Sequence, residues 1–282
     1  MSVPRLFSGP RKRVAAAAAT VIIATTAAAA PAAAALPGRS DPTPAKPTVV
    51  LVHGAWADSS SWDDVIRRLI AAGYPVVAFP TPLQTLSGDS AALRTYLHSV
   101  TGPVVLVGHS YGGAVITNAA TGNAQVQALV YIDAFAPDQG QLVVNLPGQN
   151  SVVAQPGVFQ PVPGPAADGT LAPDTELYVQ RSLFPQDLAN DLPAQTAAVL
   201  AATQRPVTLA ALTEPSGDPA WKTIPSWYEV GTIDKVIPPD IQLSMARHAN
   251  AHVTYARTGH LPMVSNPGAV TSTIELAACA TA

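Results

Sequence analysis

Cysteine is almost missing from this 282-residue chain. Cys279 is the single one and stands three residues from the C-terminus. One thiol cannot form an internal disulfide, and without cysteine pairs a Cys/His zinc site is excluded. Charge is also scarce, at 12% of residues, and aromatics make up 6%. Fifteen Lys and Arg face 18 Asp and Glu, a formal balance of −3. Four of the basic residues (Arg5, Arg11, Lys12 and Arg13) lie in the first 35 positions, which hold no acid. The remainder therefore carries 11 basic and 18 acidic residues, a balance of −7. Such a balance argues against nucleic acid or an anionic membrane as a partner. Internal repeats are absent too.

What is present begins with an export pattern. "RLFSGPRKRV" is basic, "AAAAATVIIATTAAAA" is uncharged and apolar, and "PAAAALPG" offers small-residue cleavage sites. That order predicts a signal peptide over residues 1–35 and an extracytoplasmic location. The strongly apolar part, Val21 to Ile23, is too short and too diluted by Ala and Thr to predict a stable membrane anchor. "GRSDPTPAKP" then reads as a Pro-rich linker, assigned to residues 36–46.

From residue 47 the pattern alternates. "TVVLVHG" (48–54), "PVVAFP" (75–80), "PVVLVG" (103–108) and "VQALVYIDA" (126–134) are near-continuous apolar runs. Strands buried on both faces look like this. Between them lie helical patterns. "SWDDVIRRLIAAG" places Trp62, Val65, Ile66, Leu69 and Ile70 at helical spacing, with Ser61 and Asp64 set as a capping box and Gly73 at the end. "DSAALRTYLHSV" and "YGGAVITNAA" follow the next strands. Strand–helix alternation implies right-handed crossovers and a parallel sheet covered on both faces. The rhythm stops after Ala134 and returns with "PSWYEVG" (225–231), "HVTYART" (252–258) and a last helix near 269–280. The expectation is a core of residues 47–136 and 223–282, interrupted by a cap at 137–222. Residues 137–172 show no period, and 174–213 read as short helices broken at Pro185, Pro193 and Pro206.

One stretch carries chemistry. "GHSYGG" fits G-x-S-x-G with Gly108, Ser110 and Gly112, and it follows a buried strand and opens a helix. A serine on that turn has an exposed Oγ, and only glycine fits two residues to either side. A serine hydroxyl attacks only when a base takes its proton. Of six histidines, His260 in "TGHLPMVSNP" falls late in the chain, just past a strand, where the base is required. Two aspartates fit the acid that orients it. Asp234 follows "SWYEVGTI" and lies between serine and histidine in chain order; Asp133 ends the preceding sheet strand and is the rival. The oxyanion needs two N–H donors. These are assigned to Tyr111, next to the serine, and Ala55 in "HGAW", with Trp56 lining the site.

Together "LVHGAW", "LVGHSYGG", "LVYIDAFAPDQG", "QRP", "PAWKTIPSWYEVGTIDKVIPP" and "GHLPMVSNP" resemble the α/β-hydrolase superfamily over nearly all of residues 47–282. They look like a bacterial carboxylesterase subgroup related to plant methylesterases, hydroxynitrile lyases and pyrethroid-hydrolysing esterases. The resemblance implies a six-stranded, mostly parallel sheet with helices on both faces, a mainly helical cap, no metal and no cofactor. It carries over Ser110 as nucleophile, His260 as base and Asp234 as acid. Asp133 departs from the pattern, which has a small neutral residue there. The expected activity is serine hydrolysis of a small-molecule ester or lactone. The cap residues Leu171, Leu177, Tyr178, Leu183 and Phe184 are apolar and suit a hydrophobic guest. Three alternatives stay open on the same residues: a hydroxynitrile-lyase-like activity using Lys235 or Lys222, a cofactor-free perhydrolase, and a non-catalytic binding protein.

Overall fold

The computed structural model describes residues 46–281. The expected signal segment and all but the last residue of the linker lie outside the described residues. Six strands form one parallel sheet: β1 (Thr48–Val52), β2 (Val76–Phe79), β3 (Val104–His109), β4 (Val126–Ile132), β8 (Ser226–Gly231) and β9 (His252–Ala256), in the order β2-β1-β3-β4-β8-β9. Val49 to Val52 and Val104 to Val107 are fully buried, as their unbroken apolar runs require. Every pairing in this sheet is parallel.

Helices α1 (Asp63–Ala71), α2 (Leu86–Leu97) and α3 (Tyr111–Ala119) link the first four strands. From β1 the chain moves outward to β2, then returns past β1 to β3 and β4. Right-handed crossovers therefore place α1 on one face and α2 and α3 on the other. The order reverses between β1 and β3, which are hydrogen-bonded neighbours. The loops after these two strands consequently meet, and such a crevice is where open α/β sheets bind ligands.

One cap differs from expectation. No side chain caps α1 itself; Asp58 caps the turn ahead of it, accepting from Ser60 N at 2.8 Å. Ser61 lies inside a 3₁₀ turn, Ser59–Trp62, that precedes the helix. Trp62, Val65 and Leu69 form its buried face, while Ile70 faces solvent. Gly73 ends the segment at φ +82°, a conformation glycine adopts freely.

Between β4 and β8 the chain forms α4 (Phe184–Asp187), α5 (Ala194–Thr203) and α6 (Leu209–Thr213). To these helices it adds an antiparallel sheet of β5 (Phe159–Val162), β6 (Glu176–Val179) and β7 (Val207–Thr208). Pro185 does not break a helix; it occupies the first turn of α4, where no N–H is needed. The core closes with α7 (Pro239–His248), α8 (Pro262–Ser265) and α9 (Pro267–Ala280). α9 packs on α1 and on β3, β4 and β8. No helix among the described residues is long and apolar enough to cross a membrane.

Candidate active site

Ser110 stands between β3 and α3 with φ +52° and ψ −124°. A non-glycine residue holds such angles only when its surroundings dictate them. Here the surroundings are the two glycines. A Cβ on Gly108 would come within 2.6 Å of the Gly112 carbonyl, and one on Gly112 would overlap the Val52 carbonyl. The tight turn brings α3 against β1 and leaves Oγ at the carboxyl end of the sheet.

His260 follows β9 and reaches Ser110 Oγ with Nε2 at 2.9 Å. Its other nitrogen, Nδ1, lies 2.8 Å from Asp234 Oδ2. With Nδ1–H donating its hydrogen bond to the carboxylate, Nε2 is left to accept from the serine hydroxyl. All three side chains are buried. Asp234 also accepts from Val236 N at 2.7 Å, Ile237 N at 3.1 Å and Gln242 Nε2 at 2.9 Å. Four donors converge on one carboxylate, which suits an anion held out of water.

Several residues that hold this line were not singled out in the sequence. Gln242 on α7 is fully buried, and its amide bridges Asp234, the Ile237 carbonyl and Gly231 N. Its only sequence signal is a polar side chain on the apolar face of a helix. His109 Nε2 donates to the main-chain carbonyl of His260 at 2.7 Å, so the turn that carries Ser110 also grips His260. Burial pushes the His109 imidazole well below its ordinary pKa, and it stays neutral. In the cap, Asp191 accepts from Gly259 N at 2.7 Å, and Asn190 donates to the Ile233 carbonyl at 3.0 Å. Tyr111 anchors through its hydroxyl to the buried Asp89 at 2.8 Å, and burial raises the Asp89 carboxyl above the usual range.

Ala55 and Tyr111 both border the cavity that Ser110 opens into. No hydrogen bond among the described residues takes up either main-chain N–H. The loop bearing Ala55 is fixed by its neighbours. Trp56, at φ +58°, donates its main-chain N–H to the Arg205 carbonyl at 3.0 Å and Nε1 to the Leu177 carbonyl at 2.8 Å. Behind it, His53 donates through Nδ1 to the Gly54 carbonyl and accepts from Thr81 N through Nε2. Burial lowers its pKa to about 4, so it too is neutral.

The cavity has an empty volume of about 480 Å³ including its mouth. Besides Ser110 and Tyr111 its walls are apolar: Trp56 and Phe159, stacked at 5.4 Å, with Phe135, Val143, Leu212 and Val236 among the rest. The five cap residues expected to meet the guest, Leu171, Leu177, Tyr178, Leu183 and Phe184, do not line it. Segment 143–159 does so instead. No lysine among the described residues borders it. Lys235 is exposed and donates to the Gln186 carbonyl, and Lys222 pairs with Asp138 and Asp218.

A strained serine behind a parallel strand, a late histidine and a six-stranded core define a class, and comparison with known proteins agrees. Residues 49–273 match the alpha/beta hydrolase family. The chain belongs to that family and is a hydrolase of the esterase type. A carbendazim hydrolyzing esterase of a Nocardioides species is 34% identical over 172 residues, 50% of this chain and 69% of that protein. Among solved structures, an extracellular alpha/beta-hydrolase from a Paenibacillus species superposes with TM-score 0.69 at 21% identity, covering 82% of this chain and 98% of that one. A pyrethroid hydrolase from Sphingobium faniae gives 0.67 at 20%, covering 83% and 98%.

Proposed function

We propose that this protein is an exported serine esterase that cleaves neutral, hydrophobic carboxylic esters or lactones. The observation that carries the reading is the line Ser110–His260–Asp234 at the base of an apolar cavity. His260 Nε2 takes the proton as Ser110 Oγ attacks the ester carbonyl. Asp234 keeps the ring in the tautomer that can accept, and stabilises the imidazolium that results. The free N–H groups of Ala55 and Tyr111 receive the developing oxyanion. His260 then gives its proton to the leaving alcohol, and the acyl group stays on Ser110. Water enters and attacks the acyl carbon as His260 takes its proton; the bond to Ser110 Oγ then breaks, His260 returns the proton to Oγ, and the acid departs.

The walls supply the preference for guests. A cavity without a charged side chain leaves a charged acyl group unpaired on entry, whereas an apolar one gains by burial. The lyase alternative lacks its lysine, since Lys235 and Lys222 are engaged away from the cavity. Export rests on the basic, apolar and small-residue order of residues 1–35.

The test is hydrolysis of p-nitrophenyl esters from acetate to long acyl chains, beside Ser110→Ala. Hydrolysis that the substitution abolishes, with labelling of Ser110 by a fluorophosphonate, is the expected result. Equal inertness of both proteins would overturn it. Amino-terminal sequencing of protein recovered from culture medium checks removal of residues 1–35.

A further inference from the structure

Asp133 is the residue that departs from the resemblance, and its setting is unusual. It follows β4 with φ +42°, a left-handed conformation that a non-glycine residue rarely keeps. Its side chain is fully buried. Oδ1 accepts from Gly231 N at 2.6 Å, and Oδ2 has no hydrogen-bond partner among the described residues. Gly231 makes the room for it, because a Cβ there would overlap the Asp133 carboxyl. Polar atoms of Asp133, Asp234 and His260 all lie within 4.8 Å of one another.

The titratable groups that face Asp133 are Asp234, Glu229 and Asp191, with the Tyr228 ring and the His260 imidazole. Three of the five are acids, and only the imidazole can become a cation. Two carboxylates this close in a buried site do not both stay ionised. Asp234 has four donors and Asp133 has one, so the donors assign the charge to Asp234 and the proton to Asp133. Burial, reinforced by the charge of Asp234, accordingly pushes the Asp133 carboxyl well above the usual carboxylate range.

We propose that Asp133 and Asp234 form a two-carboxyl seat for His260, charged on Asp234 in the resting protein, in which Asp133 is a reserve positioning residue that orients the imidazole when Asp234 cannot. The proposal rests on the esterase reading for its kinetic test. When Asp234 is replaced by a neutral isostere, the Asp234 charge that reinforces burial in keeping Asp133 protonated is gone, while burial itself remains. Asp133 then releases its proton to solvent and its carboxylate accepts from His260 Nδ1–H. No other group is consumed, and Ser110 still gives its proton to Nε2. Because the carboxylate forms only by losing that proton in a buried place, activity in this state rises with pH later than in the parent.

The experiment is a double-substitution cycle of Asp133→Asn and Asp234→Asn, with kcat/KM for a short p-nitrophenyl ester measured from pH 5 to 9.5. Thermal unfolding checks each variant, and Asp234→Ser replaces Asp234→Asn if the latter does not fold. Asp133→Asn is expected to cost at least tenfold more in the Asp234→Asn background than in the parent. The acid limb of Asp234→Asn should move up by a unit or more, and the double variant should fall about 10⁴-fold, the loss typical of a histidine without its acid. An equal cost in both backgrounds, or an unmoved limb, overturns the proposal. A second readout does not need turnover. The hydrogen-bonded Nδ1–H of His260, followed by NMR on ¹⁵N-histidine protein, should persist in Asp234→Ala, which leaves no side-chain acceptor at 234, and vanish when Asp133→Ala is added. Its loss in both refutes the seat; its persistence alongside absent ester hydrolysis refutes only the esterase reading.

Discussion

Glu229 offers a stability prediction with a defined size. It lies on β8 in the interior of the sheet and is 1% exposed. Oε2 accepts from Thr273 Oγ1 at 2.7 Å, and Oε1 has no partner among the described residues. Burial raises its pKa from 4.5 to about 7, against a smaller lowering by the Thr273 hydrogen bond. The folded protein therefore keeps a proton between these two values that the unfolded chain has released. Stability falls as pH rises through that window and does not return above it. A shift of about 2.5 units at 1.36 kcal/mol each amounts to about 3 kcal/mol. Glu229→Gln keeps the shape and the acceptor for Thr273 but removes the ionisation. The parent curve alone would mislead, because His53, held neutral down to about 4, gains stability across pH 4 to 6.5. The difference between variant and parent cancels that contribution. Urea unfolding at half-unit steps from pH 4 to 8.5 should give a constant difference below about 4.5. It should then climb by about 3 kcal/mol in favour of the variant and level off above 7. A difference that does not vary with pH would refute the buried-acid argument.

Other outcomes follow from the site. Ser110→Ala should lower kcat for esters by about 10⁶-fold while leaving the unfolding midpoint close to that of the parent. Gly112→Ala drives a methyl group into the Val52 carbonyl, so it should destabilise by about 1–3 kcal/mol and abolish labelling of Ser110 by a fluorophosphonate. Ala154→Trp narrows the cavity wall and should raise KM for long acyl chains at least tenfold over that for acetate. Lys235→Ala should leave ester hydrolysis unchanged, since its ammonium group points to Gln186.

The alternation of buried strands and helices was legible because a parallel sheet covered on both faces demands unbroken apolar runs, as in β1 and β3. Ser110 was legible because its turn imposes glycines at fixed offsets, and His260 because the fold places it last. What escaped reading depends on contacts far apart in sequence. His109 meets the His260 carbonyl across 151 residues, and no local pattern encodes that. Gln242 declares itself only once the register of α7 is known. The cap sheet escaped because its strands are two to four residues long, and β5 contains Pro161, so no alternation can build up. Ser61 does not cap α1 because it lies inside a 3₁₀ turn, itself capped by Asp58, and pattern alone does not register that extra turn.

The hydrogen bonds from the insertion tie together loops that lie far apart in sequence. Asp191 holds the loop before His260, Asn190 holds the loop before Asp234, and the Arg205 carbonyl holds the residue after Ala55. One stretch of the insertion thus clamps the three loops that carry His260, Asp234 and Ala55 at once, like a keystone rather than a door. Exchanging the whole insertion for that of a relative would alter the rate of chemistry along with the choice of guest. A graft confined to the cavity-lining stretch, with Asn190, Asp191 and the Arg205 carbonyl kept, would change the guest and leave the reacting groups in place.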